Sequence, residues 1–100
     1  EESNMNTGNL AALKQYDKIK KQSLYKSEPF EVILLTIAKD EVLKPHTSKT
    51  DAFILVIEGD VIFTLEGIDF NLHKDDFFQF KANQVHAVKA LTDASLLLIK

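Results

Sequence analysis

Apolar residues in this chain are gathered into short runs, and almost every run is closed by a polar turn. The runs occupy residues 30–38, 42–46, 52–57, 61–65, 68–72, 77–80, 85–91 and 95–99. Between them stand Lys39-Asp40-Glu41, Glu58-Gly59-Asp60, Glu66-Gly67, Lys74-Asp75-Asp76, Ala82-Asn83-Gln84 and Thr92-Asp93. Runs this short, rich in β-branched and aromatic residues, are strands rather than helices. Glu66-Gly67 between two runs of five is a tight hairpin signal. About eight short strands with short turns predict an all-β sandwich or barrel. Pro45 within its run marks an edge strand or a bulge.

The first third of the chain reads differently. Residues 1–8 are polar and predicted to be disordered, and residues 1–4 precede Met5 and read as an added remnant. Leu10, Leu13 and Tyr16 recur at near-helical spacing behind Asn9, an acceptable N-cap, so one short helix over 10–16 is expected. The remainder, 9–100, is expected to form a single domain. Lys14, Lys18, Lys20, Lys21 and Lys26 read as a solvated face.

Composition removes several function classes. The chain has no cysteine, so a disulfide framework and a thiolate metal site are both excluded, and a reducing, cytoplasmic setting is the expectation. No run approaches the length needed to cross a bilayer as a helix, so no membrane partner is expected. The formal charge is −3, and all twelve basic residues are lysine. Arginine supplies the forked contacts to phosphate and guanine, so a nucleic-acid partner is not expected either. No glycine-rich phosphate loop and no serine-centred elbow are present. Asp75-Asp76 and Asp40-Glu41 read as turn acids rather than catalytic carboxylates, and His73 beside Lys74 reads as a surface residue.

His46 and His86 each stand at one end of an apolar run, forty residues apart. Gly59 follows His46 by thirteen positions within Val56-Ile57-Glu58-Gly59-Asp60. The later stretch reads Asp75-Asp76-Phe77-Phe78, then Phe80-Lys81-Ala82-Asn83-Gln84-Val85-His86-Ala87-Val88. In both spacings, and in the hairpin between them, the chain resembles a small single-domain cupin over roughly residues 30–99. The resemblance implies a jelly-roll β-barrel of two antiparallel sheets, with His46 and His86 facing each other inside it. It also draws attention to departures. Ser48 stands where the family's second histidine belongs, and Ala52 where its glutamate belongs, with Asp51 beside it. Lys81 and Asn83 replace a turn proline and glycine, and Asp40 and Asp75 stand where opening glycines are usual.

Two of the four usual metal ligands therefore remain. Zinc ordinarily takes three or four protein ligands, and a non-haem iron site takes two histidines and a carboxylate. Asp51 would complete such a set only through a one-residue bulge. The preferred expectation is a metal-free barrel that binds a small molecule or has lost its activity. Its ligand-binding residues would be His46, Ser48, Ala52, Phe78, Phe80 and His86. A weak divalent transition metal held by His46 and His86 ranks second as an occupant. Two alternatives stay open: a metal-dependent dioxygenase or isomerase built on His46 and His86, and a dimeric structural or regulatory module with a filled barrel. Residues 30–38 and 52–57 are apolar on both parities. Their second face needs a cover, for which a homodimer is expected.

Overall fold

The computed structural model describes residues 7–100. Most of the expected disordered segment, residues 1–6, lies outside them, and Thr7 and Gly8 are exposed and belong to no helix or strand. One short helix, α1 (Leu10–Leu13), is followed by nine strands. These are β1 (Ile19–Lys26), β2 (Glu31–Ile37), β3 (Val42–His46), β4 (Ala52–Glu58), β5 (Val61–Leu65), β6 (Ile68–Leu72), β7 (Phe77–Phe80), β8 (His86–Ala90) and β9 (Ala94–Ile99). They form a five-stranded sheet in the order β1-β2-β9-β4-β7 and a four-stranded sheet in the order β3-β8-β5-β6. Every pairing is antiparallel. The apolar runs predicted an all-β sandwich or barrel, and the arrangement is the two-sheet jelly roll that the cupin resemblance implied.

Alternation of side chains decides what lies inside. From the larger sheet, Leu35, Ile37, Ala52, Ile54, Val56, Leu96 and Phe80 enter the core. The smaller sheet supplies Val61, Phe63, Leu72, Val88 and Ala90. Each fully buried Leu, Ile or Phe among them contributes about 1.5–3 kcal/mol. Phe63 lies at the centre, with ring centroids 5.0 Å from Phe78 and 5.3 Å from Phe80. Pro45 does sit on an edge strand, since β3 borders the smaller sheet, and its register with β8 shifts between Leu43 and His46.

The N-terminal third departs from expectation in two ways. The lysine-rich stretch read as a solvated face contains a strand, β1, and the helix expected over 10–16 ends at Leu13. Asn9 does cap it, accepting from the Ala12 amide. The chain then crosses the outer face of the larger sheet as an extended strap. One rung of that sheet, Lys20-Thr36-Ser95-Glu58, holds it. Lys20 Nζ donates to Gln15 Oε1, and Thr36 Oγ1 donates to the Gln15 carbonyl at 3.1 Å. Lys14 Nζ and the Tyr16 hydroxyl both donate to Glu58 Oε1, at 3.0 and 2.8 Å. These bonds, led by that from Lys14, hold the Glu58 carboxyl below its ordinary pKa. The buried Ser95 hydroxyl on this rung has no hydrogen-bond partner among the described residues. The strap explains why Leu34 and Thr36, on the outward parity of β2, are nonetheless fully buried.

Turn geometry accounts for several departures from the cupin pattern. Glu66 and Gly67 have φ of 49° and 81°, the left-handed pair that a two-residue hairpin prefers. Asp40, Asp75 and Asn83 have φ of 71°, 76° and 69°. Asp and Asn adopt this region more readily than other non-glycine residues, so they keep a turn that glycine would otherwise make. Gly59 has no such substitute: its φ is 89°, and a Cβ there would lie 2.2 Å from the Asp93 carbonyl oxygen. Gly59→Ala is expected to cost about 2 kcal/mol or more. Asp75→Gly, which relieves a left-handed conformation, is expected to gain about 0.5 kcal/mol. Urea denaturation midpoints of the two variants check both signs.

Candidate functional site

The cross-strand register places His46 directly opposite His86. Their ring centroids are 4.2 Å apart, at an interplanar angle of 60°. Each ring folds back on its own chain in the same way. His46 Nδ1 lies 2.8 Å from the Lys44 carbonyl oxygen, and His86 Nδ1 lies 2.9 Å from that of Gln84. A carbonyl only accepts, so Nδ1 carries the proton on both rings. In the neutral tautomer Nε2 then presents a lone pair. His86 is 7 % exposed, whereas His46 stands at the surface. Phe80 packs on His86 at 4.4 Å between centroids, and Phe63 lies behind it at 6.0 Å. This apolar packing is what lowers the His86 pKa, and the neighbouring His46 lowers it further.

The pair stands at the mouth of a cavity of about 490 Å³. Ile33, Leu35, Ile54, Leu96 and Leu98 from the larger sheet form one wall, and Leu43 and Val88 from the smaller sheet form the other. Of the six residues expected to bind ligand, His46, Ser48, Ala52, Phe80 and His86 line this cavity. Phe78 does not. It faces inward, paired with Ile54 across β4 and β7, but packs at a tilt against Phe70, with ring centroids 4.8 Å apart, and against Phe63. That closes the barrel away from the cavity. Ser48 lies in the loop after β3, and its hydroxyl donates to the Thr50 carbonyl at 2.9 Å.

The donor set does not fit a resident metal of the usual cupin kind. The two free Nε2 atoms are suitable ligands, but among the described residues no group of three His, Asp, Glu or Cys side chains converges. Asp51 is engaged elsewhere: its Oδ1 accepts from the Ala82 amide at 2.9 Å, which ties the loop before β4 to the turn before β8. Asp51 lies in the loop before β4, whose register with β7 begins at Ala52. His73 is exposed and pairs with Asp60 at 2.7 Å, remote from the cavity lining.

A cupin domain model matches residues 33–100. The chain belongs to the cupin domain family. Solved cupin structures share its fold. An RmlC-like cupin protein from Desulfovibrio desulfuricans superposes with a TM-score of 0.85 at 22% identity, covering 95% of this chain and 94% of that one. A cupin superfamily protein from Desulfitobacterium hafniense gives 0.82 at 20%, covering 91% and 85%. KdgF from Halomonas sp. gives 0.77 at 19%, covering 93% of each. At such identities the likeness concerns the fold alone. No curated protein matches. No helix among the described residues is long and apolar enough to cross a membrane.

Sequence reasoning missed the residues that rim the cavity from β1 and the β1–β2 turn, Lys21, Lys26 and Phe30 among them. The only signal would have been a strand in a stretch whose alternation is hidden by lysine and glutamine. The buried imidazole yields a pH dependence with a defined sign. Its folded pKa lies below the ordinary 6.5, so the unfolded chain binds the proton more readily. His86 therefore contributes stability that is present above pH 6.5 and is lost as pH falls through the lower folded value. Urea midpoints measured from pH 7.5 down to 5 should show this decline, and His86→Gln should flatten it.

Proposed function

We propose that this cupin domain is a small-molecule-binding barrel that works without a resident metal. The observation that carries the reading is the cavity of about 490 Å³, in the size range of small-ligand sites. Its walls are apolar and its mouth holds two imidazoles whose orientation is fixed by backbone carbonyls. Such a site encloses an apolar body and hydrogen-bonds a polar group at its entrance. A barrel serving only as a structural module would be filled by its own side chains. Among the described residues no carboxylate converges on the two imidazoles to supply the charge and third ligand of a cupin iron or zinc site. A divalent ion there would meet two neutral imidazoles and water, and would leave readily.

A fragment library screened by methyl NMR tests binding. Hits should move the methyl signals of Ile54, Val88 and Leu96, and Leu98→Trp, which fills the cavity, should abolish them. Failure of every fragment to move those signals would end this reading. Metal content gives a separate check. Untagged protein dialysed against a mild chelator should hold well under one equivalent of iron, manganese, nickel or zinc. A full equivalent that disappears in His46→Ala or His86→Ala would replace this reading with a metal-dependent one.

We further propose that two copies pair through the outer face of the larger sheet beside its free edge, β7. Phe77 is 68% exposed there and stacks on Phe53 at 5.6 Å. Leu55, Leu97 and Ile99 lie on the same outward parity, beyond the reach of the strap. An edge strand with an apolar face beside it suits an isologous contact, in which one patch meets its own copy. Sedimentation velocity at micromolar concentration should show a dimer, and Phe77→Asp should shift it toward monomer.

A further inference from the structure

The polar residues at the cavity mouth are charged unevenly. On the inward parity of the larger sheet, the last rung runs Lys26-Glu31 across β1 and β2, and Glu31 exchanges backbone hydrogen bonds with Lys100 just beyond β9. Lys21 lies deeper on β1, opposite Leu35, and Lys49 sits in the loop after β3. All four lysines line the cavity, and the acids that line it with them are Glu28 and Glu31. The mouth is thus net positive on a chain whose formal charge is −3. The lysines that form salt bridges among the described residues are Lys14 and Lys81, and none of the four rim lysines takes part in one.

An inward lysine on an edge strand often serves only to block the addition of another strand. That role would suit Lys21 and Lys26, since β1 is an edge. It does not suit Lys100, which follows the central strand β9, or Lys49, which belongs to a loop. What the four share is the cavity. The four ammonium groups therefore mark the place for an anionic group at the mouth.

We propose that the ligand is a small organic carboxylate, with its apolar body against Ile33, Leu35, Ile54, Leu96 and Leu98 and its carboxylate among Lys21, Lys26, Lys49 and Lys100. This rests on the small-molecule reading above and adds the charge of the molecule. Three probes with one apolar body and different heads separate the two ideas: octanoate, octanol and octylamine, titrated into the full chain and followed by the cavity methyl signals. Octanoate should bind about tenfold or more tightly than octanol, and octylamine more weakly still. The preference should shrink as salt is raised. The double variant Lys26→Gln/Lys100→Gln, both exposed positions, should weaken octanoate about tenfold and leave octanol unchanged. If octanol or octylamine binds as well as octanoate, or the double variant binds octanoate undiminished, the carboxylate inference falls and the cavity reading stands. If none of the three moves the cavity methyl signals, the carboxylate inference falls, and the cavity reading falls with it only if every library fragment fails as well.

Discussion

The structure depends on one strand. β9 lies between β2 and β4 and is hydrogen-bonded to both, from Ala94 opposite Ile37 to Ile99 opposite Phe53. Its pairing fixes which parity of three strands faces the interior. Leu96 and Leu98 point into the barrel, so Leu35, Ile33 and Ile54 do as well. A slip of one residue would exchange these for Leu34, Leu97 and Leu55, and would send Thr36 and Ser95 inward. The cavity wall, the outer rung that grips the strap and the position of Lys100 at the mouth all follow from that register. Gly59 guards it from the side, since the Asp93-Ala94 backbone that opens β9 lies against its Cα and leaves no room for a side chain.

The barrel was legible in the sequence because its strands are bounded by residues with strong local preferences. The bounds of β3, β5, β6 and β7 could be read directly, for each is flanked on at least one side by a glycine, aspartate or asparagine turn. β1 was illegible because its inward positions carry Ile19, Lys21, Ser23 and Lys26, and a bulge after Ser23 breaks the alternation. It is a strand through its partner rather than through its own residues. The helix over 10–16 was overestimated for a related reason. The Leu10, Leu13, Tyr16 spacing is helical, but Gln15 and Tyr16 find better partners on the sheet than a further turn would give them. At the site, strand periodicity put His46, Ser48 and Ala52 on one face and the cupin resemblance set His86 opposite them; all four line the cavity, as does Phe80. Phe78 was grouped with them but lies away from the cavity, because the sequence does not tell the mouth of the barrel from its other end, which is a matter of depth along the strand.

Turns and site have departed from the cupin pattern to different extents. At Asp40, Asp75 and Asn83 the replacements keep a left-handed backbone. At Ser48 and Ala52 they keep nothing of an imidazole or a carboxylate. Ser48 now spends its hydroxyl on its own loop, and Ala52 contributes only the absence of bulk beside Phe80. Backbone geometry supports every strand that follows a turn, whereas a ligand to a metal supports only the metal. The two remaining histidines lost no local support: each is still oriented by a carbonyl two residues before it.

The position of β9 also bears on how the chain acquires its shape. β2 and β4 are separated in the sheet by a strand that comes after both of them in the sequence. As the polypeptide leaves a ribosome, each of them presents an open edge of backbone amides and carbonyls until residues 94–99 emerge. The β5–β6 hairpin, closed by two residues, has no such wait and is suited to be an early nucleus. The larger sheet must form late and all at once, through the insertion of one apolar strand between two others. Until that moment the nascent chain carries two sticky, half-paired edges, the condition in which aggregation competes with folding.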